Sequence, residues 1–191
     1  MSFSSTLFSM RSYTPLPFLV CMIIFAQPTV LTMVIGGALV IAGEFMRFWG
    51  VAYAGSLTRV TGTVGAPELI VAGPFAYVRN PLYVGNITMY VGIGIMSNAL
   101  WPWLVIAAFG WFVFQYMVIV KHEEDFLSTT FAEYAAYRAN VRRFLPRLTP
   151  YRTEAQARQQ PDTAAAWKSE RRTLQAMTVA VAIIVTLWLV R

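Results

Sequence analysis

Residues 12–43, 82–120 and 173–190 contain no Asp, Glu, Lys or Arg. Runs this long and apolar cannot be core helices of a soluble domain of 191 residues. Inside a bilayer each backbone N–H and C=O needs a partner within the chain, so such runs are read as helices. Composition agrees: 57% of the residues are hydrophobic and 13% charged, against about 25% charged in a typical soluble domain. The expected fold is an all-α polytopic membrane helix bundle.

The runs divide at polar breaks. Gln27-Pro28 splits the first into a short arm, about 15 to 26, and a second span, about 29 to 49. The sequence SNALWPW at 97–103 supplies a polar break, a proline and two interfacial tryptophans. It splits the second run into a hairpin of about 82 to 97 and 102 to 120. With the last run this makes five helices. The first arm, at 1.5 Å per residue, covers only roughly 20 Å and is the shortest. Three units follow: residues 1–67 with the first helices, a core at 68–148, and 149–191 with a linker or partly ordered helix over 149–169 leading to the last span.

Orientation follows from the basic residues flanking short loops. Arg11 precedes the first arm, Arg59 and Arg79 occupy the loop of about 50 to 81, and ten of the fifteen Lys and Arg lie from Lys121 to Arg172. The turns near Gln27 and Asn98 carry none. The basic segments are therefore expected at the cytoplasmic face of a multi-pass cytoplasmic or inner membrane protein, with Arg191 outside. The net charge of +6 reads as topology and attraction to anionic headgroups, with no nucleic-acid partner.

The scarce residues narrow the chemistry. Cys21 is alone and cannot form an internal disulfide, and His122 is the single His without Cys nearby, so no metal site of the usual zinc kind is expected. Gly92-Ile93-Gly94 follows no strand and fails the dinucleotide-binding test. Gly85, Met89, Gly92 and Met96 fall near one helical face and suggest a small-residue packing seam.

GPFAYVRNPLYVG, residues 73–85, is crowded with turn-forming and polar residues at the mouth of an apolar run. Asn80-Pro81 is a helix-start signature, with Asn80 able to cap and Pro81 at the first position. The exposed N–H groups of that helix start and the charge of Arg79 suit a carboxylate-bearing ligand, and equally suit an ordinary cap beside an arginine that snorkels to the interface. VKHEEDFL, residues 120–127, closes the hairpin at the same membrane face. Arg79 and Glu123 or Glu124 become neighbours by topology. Carboxylates accept from ribose hydroxyls, amino groups or cations. Beyond them, Phe131, Tyr134, Ala135, Arg138, Val141 and Arg142 recur at helical spacing, which predicts an amphipathic interfacial helix ended by Pro146.

GPFAYVRNPLYVG, a hairpin, and then HEEDFLSTTFAEYAAYRANVRRFLP together resemble the isoprenylcysteine carboxyl methyltransferase family and its relatives, the phospholipid N-methyltransferases. The resemblance covers about 68 to 146. It implies a methyltransferase that uses S-adenosylmethionine at the cytoplasmic face and acts on a lipid or lipid-like acceptor through a carboxylate, amine or thiol. Carried over, Arg79, Asn80, Pro81, Tyr83, Gly85, Glu123 and Glu124 would bind the cofactor, and Arg138 and Arg142 would lie near the acceptor as catalytic residues. Asn80 stands where that family has His, so hydrogen bonding survives there and proton transfer does not.

Methyl transfer from a sulfonium needs neither metal nor covalent enzyme intermediate, which suits this residue inventory. Two other readings share the motif region. One is an NADPH-dependent membrane reductase of the sterol or steroid type, and the other a non-catalytic membrane scaffold.

Overall fold

The computed structural model describes residues 7, 9–55 and 68–190; Arg59 and Arg191, on which part of the expected orientation rests, lie outside these residues. Among the described residues six α-helices follow in order: α1 Pro15–Ile24, α2 Val30–Ala54, α3 Pro81–Ser97, α4 Trp103–Thr130, α5 Tyr134–Asn140 and α6 Thr163–Val190. Among the described residues there is no strand. The fold is an all-α bundle. α2, α4 and α6 are long and apolar enough to cross a membrane. α3, with 17 residues, reaches about 25 Å, and α1, with 10, about 15 Å.

Glycines decide how α2 meets α3. A Cβ at Gly36 would stand 2.5 Å from the Gly92 carbonyl oxygen, and one at Gly43 would stand 2.7 Å from that of Gly85. The two backbones touch, as small residues allow between membrane helices. The expected seam along α3 is present. α3 packs against α1, α2, α4 and α6. Met22, Val40, Ile93, Phe112, Ala180 and Ile184 bring five helices into one buried cluster.

The two turns at the far end of the bundle are tied together. Gln27 donates its N–H to the Ser97 carbonyl at 2.8 Å, and Asn98 donates its side-chain amide to the Gln27 carbonyl at 2.9 Å. Asn98 ends α3 in the left-handed conformation, φ 51°, which Asn tolerates better than most residues. Thr29 starts α2 with a reciprocal capping pair to Thr32.

Three expected boundaries differ. α4 extends past the apolar limit near Val120 and continues through the acids to Thr130, one of the two outcomes that three acids after an apolar helix allow, the other being a partner for one acid. The interfacial helix is shorter, ending at Asn140 rather than running to Pro146. It buries Tyr134 and Tyr137 with Leu69, Val71 and Val141, so its inward face differs from the expected one, and Arg138 and Arg142 are exposed. Tertiary bonding explains the stop: the carbonyl of Arg142 accepts from the Arg79 N–H at 2.9 Å, and Arg147 donates its N–H to Tyr77 at 2.9 Å.

The third difference concerns 149–169. α6 begins at Thr163, since Asp162 accepts from the Ala165 N–H at 2.8 Å through its side chain, a cap just after Pro161. The preceding segment is ordered against the motif loop. Gln159 is buried and accepts from the Val71 and Ala72 N–H groups at 3.0 and 3.1 Å while donating to the Leu69 carbonyl at 2.8 Å. Asp162 then donates its N–H to the Ala52 carbonyl at 2.8 Å, returning α6 to the end of α2.

Candidate functional site

The motif loop is shaped by Gly73, whose φ of 58° lies where a side chain is strained and where a Cβ would strike the Tyr53 ring. A short 3-10 turn, Gly73–Ala76, carries the chain to Arg79. The Tyr137 hydroxyl donates to the Phe75 carbonyl at 2.8 Å. These bonds aim Arg79 inward. Its guanidinium meets the Glu124 carboxylate at 2.9 Å, with both side chains buried, and donates to the Arg138 carbonyl at 2.9 Å.

Glu124 has a second cation. Arg143 donates to it at 2.5 Å and 3.2 Å through two nitrogens. Two arginines therefore share one carboxylate, which leaves an excess positive charge at a buried site, and Arg79 Nε is buried without a hydrogen-bond partner. Glu124 raises the pKa of Arg143, chiefly through that hydrogen bond. Burial pushes the Tyr134 hydroxyl up to about 12, and the adjacent Glu124 charge adds to it. Both stay in the form that holds the cluster at neutral pH.

One turn along, Tyr83 donates to Glu123 at 2.7 Å. The adjacent acids thus face different partners, as the rotation of about 100° per helical residue requires. Asn80 departs from expectation: it makes no capping bond, and its side-chain amide instead donates to the Arg143 carbonyl at 3.1 Å. Its backbone (φ −126°, ψ 60°) lies outside the usual capping region. Pro81 does occupy the first turn.

These groups line a cavity of about 850 Å³, within the range of small-molecule sites. Arg79, Asn80, Tyr83, Glu123 and Glu124 are on its wall. Gly85 faces the α2 seam, where a Cβ would stand 2.7 Å from the Arg47 Cγ, and Pro81 is buried beside Gly50. Arg138 and Arg142 are exposed and contribute backbone carbonyls to Arg79.

Sequence reasoning missed the polar groups deeper in this cavity. Arg47 pairs with Glu170 at 2.7 Å, the two being 11% and 1% exposed, and it also donates to Asn86. Glu44 lies one turn away at 3.8 Å. The readable signal was an acid and a base three residues apart at the end of an apolar run. Beyond this level the lining turns apolar, with Phe18, Met22, Ile93, Phe112 and Ala180.

Residues 31–134 match the family described as phospholipid methyltransferase. The cobalt-zinc-cadmium resistance protein CzcN of Cupriavidus metallidurans is 32% identical over 130 residues, 68% of this chain and 55% of that protein. The nickel-cobalt-cadmium resistance protein NccN of Alcaligenes xylosoxydans xylosoxydans is 33% identical over 88 residues, 46% of this chain and 40% of that protein. The chain thus spans about half the length of these curated relatives. No solved structure matches it.

Proposed function

Because the chain belongs to the phospholipid methyltransferase family, we propose that its cavity binds S-adenosylmethionine beside Arg79 and Glu124 and serves methyl transfer to a lipid-like acceptor. The carrying observation is the Arg79–Glu124–Arg143 arrangement, a buried pair joined by a partly exposed second arginine, with its surplus cation and its unpartnered Arg79 Nε. A ligand carboxylate compensates such a surplus at low cost, because a charge-assisted bond in a desolvated site is strong. The donor set therefore fits a cofactor that carries an amino acid and a ribose.

Bound there, the cofactor supplies an electrophilic methyl group on sulfur. The protein's own part is placement. Arg79 and Asn80 hold the anionic end, Glu123 and Glu124 offer acceptors to hydroxyl or amino groups, and Tyr83 keeps the Glu123 carboxylate turned toward the cavity. Arg138 and Arg142 act through their carbonyls, which fix the Arg79 backbone and guanidinium. The apolar walls exclude water and receive the acceptor, aligning donor and acceptor, which is most of what a displacement of this kind requires.

The excess of basic residues on this side supports a cytoplasmic-face site under the positive-inside rule. Methylating a carboxylate head of a membrane amphiphile converts an anion into a neutral ester and so removes fixed negative charge that cations meet at the bilayer surface, whereas methylating an ammonium head leaves its charge unchanged. This is the link we draw to the resistance named for the two relatives. The test is a titration of purified protein with S-adenosylmethionine and, separately, NADPH, reading the thermal midpoint. A rise with S-adenosylmethionine alone supports the reading through mass action. A rise with NADPH alone favours the reductase, and no rise with either favours the scaffold.

A further inference from the structure

α6 lies beyond the family match, which ends at residue 134, yet it forms a wall of the cavity. Glu170, Thr173, Ala176, Met177 and Ala180 all line it. These positions repeat at three- and four-residue spacing and so share one helical face. That face runs from a buried carboxylate to a buried Ala180, about 15 Å at 1.5 Å per residue.

The opposite walls are graded the same way. α3 passes from Asn80 and Tyr83 through Asn86 to Ile93, and α4 from Glu123 through Tyr116 to Phe112. Around the deep end, Met22, Ile93 and Ala180 are buried in the main apolar cluster with Met96 and Ile184. The cavity is therefore polar at one end and closed by apolar side chains at the other. A head and a tail are both accommodated.

The Arg47–Glu170 pair sits at the change of character. Ion pairs inside membrane bundles are costly and carry specific tasks. Here the pair joins α6 to α2, and through Asn86 to α3, so it fixes how deep each residue of α6 stands against the cavity. We propose that α6 is the specificity wall of the site: Glu170, held by Arg47, sets its register, and Ala176 and Ala180 set the length of the single apolar tail the acceptor can insert. This rests on the methyltransferase reading for the acceptor's role, but the channel is testable by binding alone.

The probe is a series of single-chain lysophospholipids of increasing acyl length, competing with a fluorescent lysophospholipid for full-length protein in phosphatidylcholine nanodiscs. For the parent, affinity rises with acyl length and then levels off. Ala180→Leu moves the levelling point to shorter chains, and Ala176→Leu does so independently should the first variant not fold. Glu170→Gln weakens the long-chain probes about tenfold with S-adenosylmethionine affinity unchanged, and Glu170→Asp restores part of the loss. An unshifted levelling point in both alanine variants, or affinity indifferent to acyl length, overturns the proposal. If the length cut-off shifts as stated but the parent does not bind S-adenosylmethionine, the tail channel stands and the methyltransferase reading falls.

Discussion

Arg79 and Glu124 meet at 2.9 Å with 8% and 6% of their side chains exposed, joining the loop before α3 to the middle of the acidic run on α4. Arg143 reaches the same carboxylate from the segment after α5. One acid therefore holds three parts of the chain together, and its loss has both structural and binding consequences.

Glu124→Gln removes the charge from two pairs and leaves two guanidiniums uncompensated. Breaking buried pairs of this kind costs about 3–5 kcal/mol. Glu123→Gln keeps an oxygen for the Tyr83 hydroxyl and costs about 1 kcal/mol. Chemical unfolding of both variants in one detergent separates them, and equal losses would contradict the asymmetry.

Arg143→Ala and Arg142→Ala differ by one position and contrast sharply in environment. The first loses a two-point bond to Glu124; the second truncates an exposed side chain whose carbonyl still serves Arg79. S-adenosylmethionine affinity is expected to fall about tenfold, or about 1.4 kcal/mol, in the first only. Arg79→Ala is expected to fall further, since it removes the cation with the unpartnered nitrogen.

Asn80→Leu leaves the Arg143 carbonyl without its side-chain donor, a loss of about 1–3 kcal/mol when the acceptor stays buried. Asn80→His keeps a donor and holds cofactor affinity within about tenfold. Isothermal titration of both variants decides the matter, and a His variant that binds no better than the Leu variant refutes the hydrogen-bonding role.

Gly43→Ala drives a methyl to 2.6 Å from the Met89 Cγ and 2.7 Å from the Gly85 carbonyl oxygen, so α2 and α3 must separate. Overpacking of this kind costs about 1–3 kcal/mol. Gly37→Ala meets nothing within 4 Å and gains up to about 1 kcal/mol from helix propensity. Thermal midpoints moving in opposite directions are the expected result.

The approach of Arg79 to Glu124 was legible because a hairpin returns its two ends to one face, which needs only helix lengths and a turn. Arg143 was not. Helical spacing selected Arg138 and Arg142, but the helix ends at Asn140 and the extended chain beyond it turns its neighbour inward, an outcome of hydrogen bonds to residues 77–80. The capping role assigned to Asn80 failed for the same reason, since a tertiary carbonyl competed for its amide. Glu170 was hidden because it lies outside the charge-free run of 173–190, next to a stretch read as a linker or partly ordered helix; the Pro161-Asp162 pair marked where α6 starts. Arg47 fell at the edge of an apolar span, where a charge reads as interfacial.

The late position of Glu170 also has a consequence for how the chain enters the membrane. α2 is synthesised and inserted well before α6, so Arg47 reaches the bilayer while its eventual counter-ion is still untranslated. Glu44, one helical turn away and 3.8 Å from Arg47 in the folded bundle, is on the same helix and is therefore synthesised with it. In the complete bundle Arg47 has both acids beside it, Glu170 at 2.7 Å and Glu44 at 3.8 Å. The arginine thus has one counter-ion supplied by its own helix and a nearer one supplied by the last helix of the chain to be made.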